Sequence, residues 1–379
     1  MRPDTMLSEH LTRHVLLTGP HHVHNRGGIG GVIAIYARYF KPFKCLASYR
    51  PFTNKLLYIP YFAVQYTRFC WRLWQDKDIE IVHIHGAAEG SFYRKYLLFK
   101  AAKGLFSRKV IYHIHSGSFL DFYMSRSSRV QGWVREMVEG SDVVICLSEG
   151  WKRLYTRRFA RAHVMVLPNV VSPPDVPVNR QRKGPLKLLF LGLIGERKGI
   201  FDLLDVFYAH KKEWAGRITL TIGGNGETDR VQQTIQEYGL EDMVTFAGWV
   251  SGAKKTELLL ASDVFALPSY NEALPLSILE AMSYEMPVIS TRIGGIPDMV
   301  VHDQNGFLVE PGDRDDIYAC IRRMLTEDGL VEMMGRESAR MIRGFYPDAV
   351  FTQLAGIYEH LLTPEAVKAD AAGKPVNNL

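Results

Sequence analysis

Cysteine is scarce and scattered: four stand at positions 45, 70, 146 and 320 of 379 residues, with no paired spacing. A disulfide framework and a cysteine-based zinc site are therefore set aside, and buried thiols in a reducing cytosol are expected. Long apolar runs are also missing. No stretch reaches the roughly 18 uncharged apolar residues of a membrane span. The segment MRPDTMLSEHLTRHVLLTG has no apolar run before its first strand, so a cleaved signal peptide is not expected. The expected location is cytoplasmic, with room for a peripheral place on the inner face of a membrane. Residues Pro364–Leu379 lack aromatics, and a disordered tail is expected there.

Acidic charge is thin in one half only. Residues 1–180 carry 26 Lys/Arg against 12 Asp/Glu, and the remainder carry 20 against 28. A basic first half points to an anionic partner such as phosphate, nucleic acid or a membrane surface. The length suits two domains of about 150–200 residues, each able to bury a core.

What is present is a repeating alternation of strands and helices. In the first half, strands are expected at His14–Thr18, Ile79–His85, Val110–His115, Asp142–Leu147 and Val164–Leu167. Glycine-rich GPHHVHNRGGIGG follows the first strand and leads into the helical run VIAIYARYF. The segment Ser172–Pro185, rich in proline and charge, reads as a linker. A second series of strands begins at Leu186–Leu191 and continues at Arg217–Ile222, Val244–Ala247, Val264–Leu267, Pro287–Ser290 and Gly306–Val309. Helices are expected at Lys254–Ala261 and Leu276–Tyr284. This is an α/β chain with two parallel, doubly wound sheets, whose ligands belong in a cleft at the strands' carboxyl ends. Expected boundaries are 1–178 for the first domain and 186–345 for the second. Val350, Phe351, Leu354, Ile357, Tyr358 and Leu361 mark an amphipathic helix beginning near Asp348. That helix, within 346–363, is expected to return to the first domain.

The segment SYNEALPLSILEAMSYEMPVIST holds Glu272 and Glu280 on either side of a helix start marked by Pro275. Amides of Ala273, Leu274, Leu276 and Ser277 lie at that start, where free N–H groups and the helix dipole favour a diphosphate. One carboxylate there can bind sugar hydroxyls and the other a ribose diol. Two isolated glutamates on a solvated surface helix would look the same, and the wider pattern decides between them.

The run NEALPLSILEAMSYEMPVISTRIGGIPDMVVHDQNGFLVEPGD resembles the signature of glycosyltransferase family 4, whose fold is GT-B: two Rossmann-like domains facing a cleft. Matching segments are spread over most of residues 14–362. The resemblance implies a retaining enzyme that moves a sugar from a nucleotide diphosphate-sugar to a carbohydrate or lipid-linked acceptor, as in polysaccharide or glycolipid biosynthesis. It implies a first domain for the acceptor and a second for the donor, and no metal or other cofactor. Carried over residue by residue, Glu272 meets the hydroxyls of the transferred sugar and Glu280 the ribose. The backbone of Ala273–Leu276 lies near sugar and phosphate. In LGLIGERKGIFDLL, Lys198 matches the family lysine that holds the diphosphate and neutralises the leaving group. Leu193 departs from the pattern, standing where the family has arginine, and Arg197 is the candidate second cation. GGNGE, with Gly224, is expected to turn sharply beside the ligand. AGWVSG, with Trp249 and Val250, resembles the base-binding loop.

In the first half, Gly27 and Gly28 match a glycine pair near the donor diphosphate, although the loop is no G-x-G-x-x-G fingerprint. His115 resembles the family's active-site histidine, which orients sugar and phosphate. In the retaining mechanism proposed for the family the donor's own phosphate takes the acceptor proton, so Glu272, His115 and Lys198 are the expected catalytic groups. The triplets His83/His85 and His113/His115 place their side chains on one strand face. With His21, His22 and His24 they allow a metal reading, but no carboxylate or cysteine completes a site at recognisable spacing, and no metal is expected.

YARYFKPFKCLASYRPFTNKLLYIPYF and YRKYLLFKAAKGLFSRK mix basic and aromatic residues. In the second, Arg94, Lys95, Lys100 and Lys103 beside Leu97, Leu98, Phe99 and Phe106 suit either an anionic membrane surface or a helix packed on its own sheet. No nucleic-acid module is recognisable. An inactive nucleotide-sugar-binding subunit and a nucleotide-sugar epimerase of the same fold are the alternatives to transfer.

Overall fold

The computed structural model describes residues 7–23, 27–180 and 184–363. His24 and the tail 364–379 lie outside the described residues. The chain forms two compact units. One takes the chain up to Leu147, Trp151–Pro168 and the chain from Pro347; the other takes Ser148–Gly150 and Asn169–Tyr346.

The first unit holds a six-stranded sheet. Its strands are β1 (Val15–Pro20), β2 (Cys45–Tyr49), β3 (Ile81–Gly86), β4 (Lys109–Ile114), β5 (Val143–Cys146) and β6 (Val164–Val166). They run parallel in the order β2-β1-β3-β4-β5-β6. Every residue of β1, β3 and β5 is buried, because helices cover both faces of a parallel sheet. Only β2 was not expected. It pairs with β1 alone and buries alternate residues, so its sequence lacks the continuous apolar run of its neighbours. The helix Pro347–Leu362 belongs to this unit. Its Phe351 ring lies 5.1 Å from both Tyr36 and Tyr39 of the helix Gly28–Tyr39.

The second unit repeats the architecture. It contains β7 (Leu186–Ile194), β8 (Ile218–Gly226), β9 (Val244–Gly248), β10 (Val264–Leu267), β11 (Val288–Thr291) and β12 (Gly306–Val309). The order is β12-β11-β10-β7-β8-β9, again parallel. The expected α/β class with two doubly wound sheets is therefore what the chain adopts.

Two expectations need correction. The units divide at Pro168/Asn169, not at 178. The segment following Pro168 is packed on the second unit: the Asn169 side-chain amide donates to Leu274 O at 2.7 Å, and the Arg180 guanidinium donates to carbonyls of Leu259, Ser262 and Tyr284. The turn of GGNGE does not fall at Gly224: residues 223–226 continue β8 in register with β7 as far as Ile194↔Gly226, and the chain turns only at Gly226, φ +119°, before the helix Thr228–Glu237. Of the two readings of the basic segment, the helix Gly90–Lys100 follows the second: it buries Lys95, Leu98 and Phe99 and packs on its own sheet.

Candidate active site

In the second unit the glutamate loop is built by close backbone packing. Gly199 has φ +67°, and a Cβ there would stand 1.9 Å from Pro268 O. Gly294, at φ +52°, would put its Cβ 1.9 Å from Glu272 O. Only glycine lets these segments approach so closely in the left-handed region. Tyr270 N–H donates to Arg197 O at 2.9 Å, and Gly295 N–H donates to Ala273 O at 2.8 Å. The loop is thus held from both sides, by the lysine turn and by the segment after β11.

Glu272 is 8% exposed, and its Oε1 accepts hydrogen bonds from Lys198 Nζ and from Ser269 Oγ, the latter at 3.1 Å. Ser269 is fixed in turn, since its carbonyl accepts from Thr291 Oγ1 at 2.6 Å. Lys198 sits in the short 3-10 turn Glu196–Lys198 between β7 and the helix Ile200–Ala209. An ion pair this buried survives only if both charges are present and hydrogen-bonded. Glu280 lies inside the helix Leu276–Ser283, whose N-cap is Pro275, and pairs with Lys255 at 2.5 Å. The N–H groups of Leu276 and Ser277 open this helix, where intrahelical acceptors are lacking.

Arg197 is exposed in the same turn as Lys198, and its guanidinium has no ion-pair partner among the described residues. Leu193, on β7, leaves 47% of its surface exposed and is paired with Asn225. Gly224 is required by the sheet itself, because a Cβ there would stand 1.9 Å from Gly192 O. Trp249 follows the end of β9 half-exposed, while Val250 is buried against Gly223. The structure therefore brings Glu272 and Lys198 into direct contact, with Ser269 a second donor to the same carboxylate oxygen, and keeps Glu280 on a separate lysine. Ser269 and Lys255 carry no local sequence signal, since hydroxyls are generic and Lys255 lies far from Glu280 in the chain.

In the first unit Gly27 caps the helix Gly28–Tyr39, and among the described residues nothing lies within 4 Å of where a Gly28 Cβ would stand. Open space rather than packing accompanies that glycine. His83 and His85 of β3, His113 of β4 and His115 just beyond it form a grid, with His85 directly opposite His113. His83 Nδ1 lies 2.7 Å from Tyr358 OH, and His83 Nε2 lies 3.2 Å from His113 Nδ1. His85 Nδ1 lies 2.9 Å from His115 Nε2. Burial drives the His83 imidazole down to about 3 and holds His85 and His113 well below the ordinary range, so all three are neutral. Half-buried His115 is the most accessible of the four.

One ring nitrogen each of His83, His85 and His113 fall within 4.8 Å of one another, the spacing of a loose metal-ligand set. The fit is poor. Both nitrogens of His83 are already hydrogen-bonded, and the buried Lys95 amine, lowered to about 7, brings no negative charge to His85. A divalent ion would bring two uncompensated charges into the core.

Two comparisons cover nearly the whole chain. The family model described as Glycosyltransferase Family 4 matches residues 17–173, and the one described as Glycosyl transferases group 1 matches residues 173–341. The N-acetyl-alpha-D-glucosaminyl L-malate synthase of Bacillus anthracis is 30% identical over 307 residues, 76% of each chain. The glycogen synthase of Mycobacterium tuberculosis is 26% identical over 250 residues, 64% of this chain but only 59% of its own length. Among solved structures, the Anabaena protein HepE in complex with UDP superposes with a TM-score of 0.73 at 16% identity, over 91% of this chain and 99% of its own. At that identity the likeness concerns the fold.

Two measurements check these sites. Replacing Lys198 by Met strands a buried carboxylate and should cost on the order of 3 kcal/mol of second-unit stability, whereas Lys198→Met with Glu272→Leu should cost clearly less. Urea unfolding of the three proteins decides it, and equal losses would show no coupling. For the histidine grid the sign runs with proton uptake. The unfolded imidazoles bind protons below about 6.5 and the folded ones do not, so stability is complete above that pH and falls as the medium is acidified. First-unit stability should drop by on the order of 1 kcal/mol per imidazole for each pH unit below 6.5. A urea midpoint that stays flat from pH 7 to 5 would contradict it.

Proposed function

The chain belongs to the family 4 glycosyltransferases, and from that premise we propose that it moves a sugar from a nucleotide diphosphate-sugar to a carbohydrate or lipid-linked acceptor, with retention at the anomeric carbon and without a metal ion. The observation that carries this reading is the buried Glu272–Lys198 pair in a loop clamped by Gly199 and Gly294. The bond between the anomeric carbon and the β-phosphate oxygen breaks, and the acceptor oxygen forms the new bond on the same face. The departing diphosphate takes the acceptor proton, and a nucleoside diphosphate is released.

Glu272 binds the hydroxyls of the transferred sugar. Lys198 moves its charge toward the diphosphate, where it offsets the negative charge that grows on the leaving group. Arg197, exposed and without an ion-pair partner among the described residues, supplies the second cation in place of the arginine absent at Leu193. The helix start at Leu276 and Ser277 offers amides to phosphate. Glu280 takes the ribose, and Trp249 and Val250 the base. His115, Gly27 and Gly28 keep the ligand-contacting roles that the resemblance implies, and the first unit is the acceptor side. Solved structures of this fold hold UDP and UDP-glucose, so uridine donors head a thermal-shift screen.

Transfer should fall by at least about a hundredfold in Glu272→Gln, with folding intact by circular dichroism. Undiminished nucleotide release in that variant would sink the assignment. Nucleotide or sugar turnover without acceptor would favour an epimerase, and donor binding without any turnover an inactive subunit.

A membrane partner is favoured by a different surface from the one the basic helix suggested. The helix Tyr58–Gln75 has two arginines and no acidic residue, and it buries Gln65, Phe69 and Leu73. Ile59, Trp71 and Trp74 are 79%, 60% and 58% exposed, with the two indole rings 5.1 Å apart. Interfacial tryptophans beside cations suit an anionic lipid surface. No helix among the described residues is long and apolar enough to cross a membrane. Co-sedimentation with phosphatidylglycerol vesicles should fall in Trp71→Ser/Trp74→Ser. Binding that ignores both the substitution and the anionic lipid would rule this surface out.

A further inference from the structure

His85 is completely buried, and among the described residues its one hydrogen bond joins its Nδ1 to His115 Nε2 at 2.9 Å. A neutral imidazole carries one proton, so its two nitrogens play opposite parts. His85 Nε2 is buried with no hydrogen-bond partner among the described residues, and this orphan discriminates between the two ways of placing the shared proton. If His115 donated, the proton of His85 would sit on Nε2 as a buried N–H without an acceptor. If His85 donates, its Nε2 is a bare lone pair. Buried unpaired N–H groups are the rarer and costlier case.

We propose that His85 is a positioning residue for His115, donating its Nδ1–H to His115 Nε2 and thereby fixing His115 as the neutral tautomer with its proton on Nδ1. His115 then meets its ligand as a hydrogen-bond donor through Nδ1, directed at a sugar hydroxyl oxygen or a phosphate oxygen. The identity of that ligand rests on the function proposed above; the tautomer does not. The pair also opposes a cationic His115. Protonating His115 Nε2 would force His85 to accept at Nδ1 and to carry its own proton on the buried Nε2.

The ring of His85 is held rigidly enough for this role. It stacks on His83 with centroids 4.4 Å apart and planes 14° apart, and Tyr36 meets it edge-on at 5.4 Å. His115 in turn stacks on His85 at 5.1 Å and lies 4.0 Å from the ring of His113. Both histidines sit at the carboxyl ends of neighbouring strands, with β3 and β4 paired through Gly86↔Ile114. A side chain held by a sheet and a ring stack keeps its direction better than one on a free loop.

The test joins spectroscopy to kinetics. Long-range nitrogen–proton correlation spectra of the full chain, labelled at histidine, should show His115 protonated at Nδ1 and bare at Nε2 near pH 7.5. In His85→Phe, which keeps a ring but no donor, both tautomers should appear. His115 protonated at Nε2 in the unaltered protein overturns the proposal. In transfer assays His85→Phe should lower kcat roughly ten- to a hundredfold, as loss of the outer partner of a fixed imidazole does elsewhere, with little change in donor KM. It should add nothing in a His115→Ala background. Full activity in His85→Phe, or a fully additive loss, overturns it as well. His85→Gln, which retains an N–H donor, should recover part of the rate, and it serves if the phenylalanine variant fails to fold. If no donor gives transfer with the unaltered protein, the proposed function fails, and the spectra still decide the tautomer.

Discussion

Keeping one carboxylate ionised away from water is the constraint on which the second unit's site depends. Glu272 is stable as an anion there because Lys198 and Ser269 both hydrogen-bond it. Those two groups arrive only if three stretches of chain meet almost backbone to backbone. The left-handed glycines at 199 and 294 let them do so, and Thr291 fixes the carbonyl of Ser269. The neutral geometry is therefore poised: the cation that balances the glutamate is the one that a phosphate would attract. Binding a dianionic group could redistribute this charge without a new side chain having to be brought in.

The first unit solves the opposite problem. Its four histidines are arranged so that three stay neutral: Tyr36 and Tyr358 cover His83, Tyr36 covers His85, and His113 packs among the other imidazoles. Hydrogen bonds run in two separate groups, a chain of His113, His83 and Tyr358 and a pair of His85 and His115. Polar groups with so few partners are tolerable in a core only when the rings pack closely, and the sheet spacing supplies that packing.

Much of the fold could be read in the sequence because buried parallel strands are written as unbroken apolar runs. IVHIH and VVIC announce themselves in this way, as does the strand Leu186–Leu191. The edge strand Cys45–Tyr49 does not, since half of its residues face outward. The helix Tyr58–Gln75 was hidden for a related reason: tryptophans and arginines on its free side blur the apolar face formed by Phe69 and Leu73. At the site, Glu272, Glu280 and Lys198 stand in a long motif and were legible. Ser269, Lys255 and Asn169 were not, because their partners are set by tertiary contacts that leave no periodic trace. The histidine triplets were legible as strand ends, but which of the four would be sealed in the core was not.

The helix Pro347–Leu362 has a consequence for the order in which the protein can be made. Phe351 and Tyr358 complete the core around Tyr36, Phe40 and His83, yet more than half of the chain separates them from it. The second unit is nearly continuous from Asn169 to Tyr346. On a ribosome the later-encoded unit can close as soon as it emerges, while the earlier one must wait, its imidazoles still open to water, until the closing helix is synthesised. The usual sequence of first made, first folded is inverted here by a single returning helix.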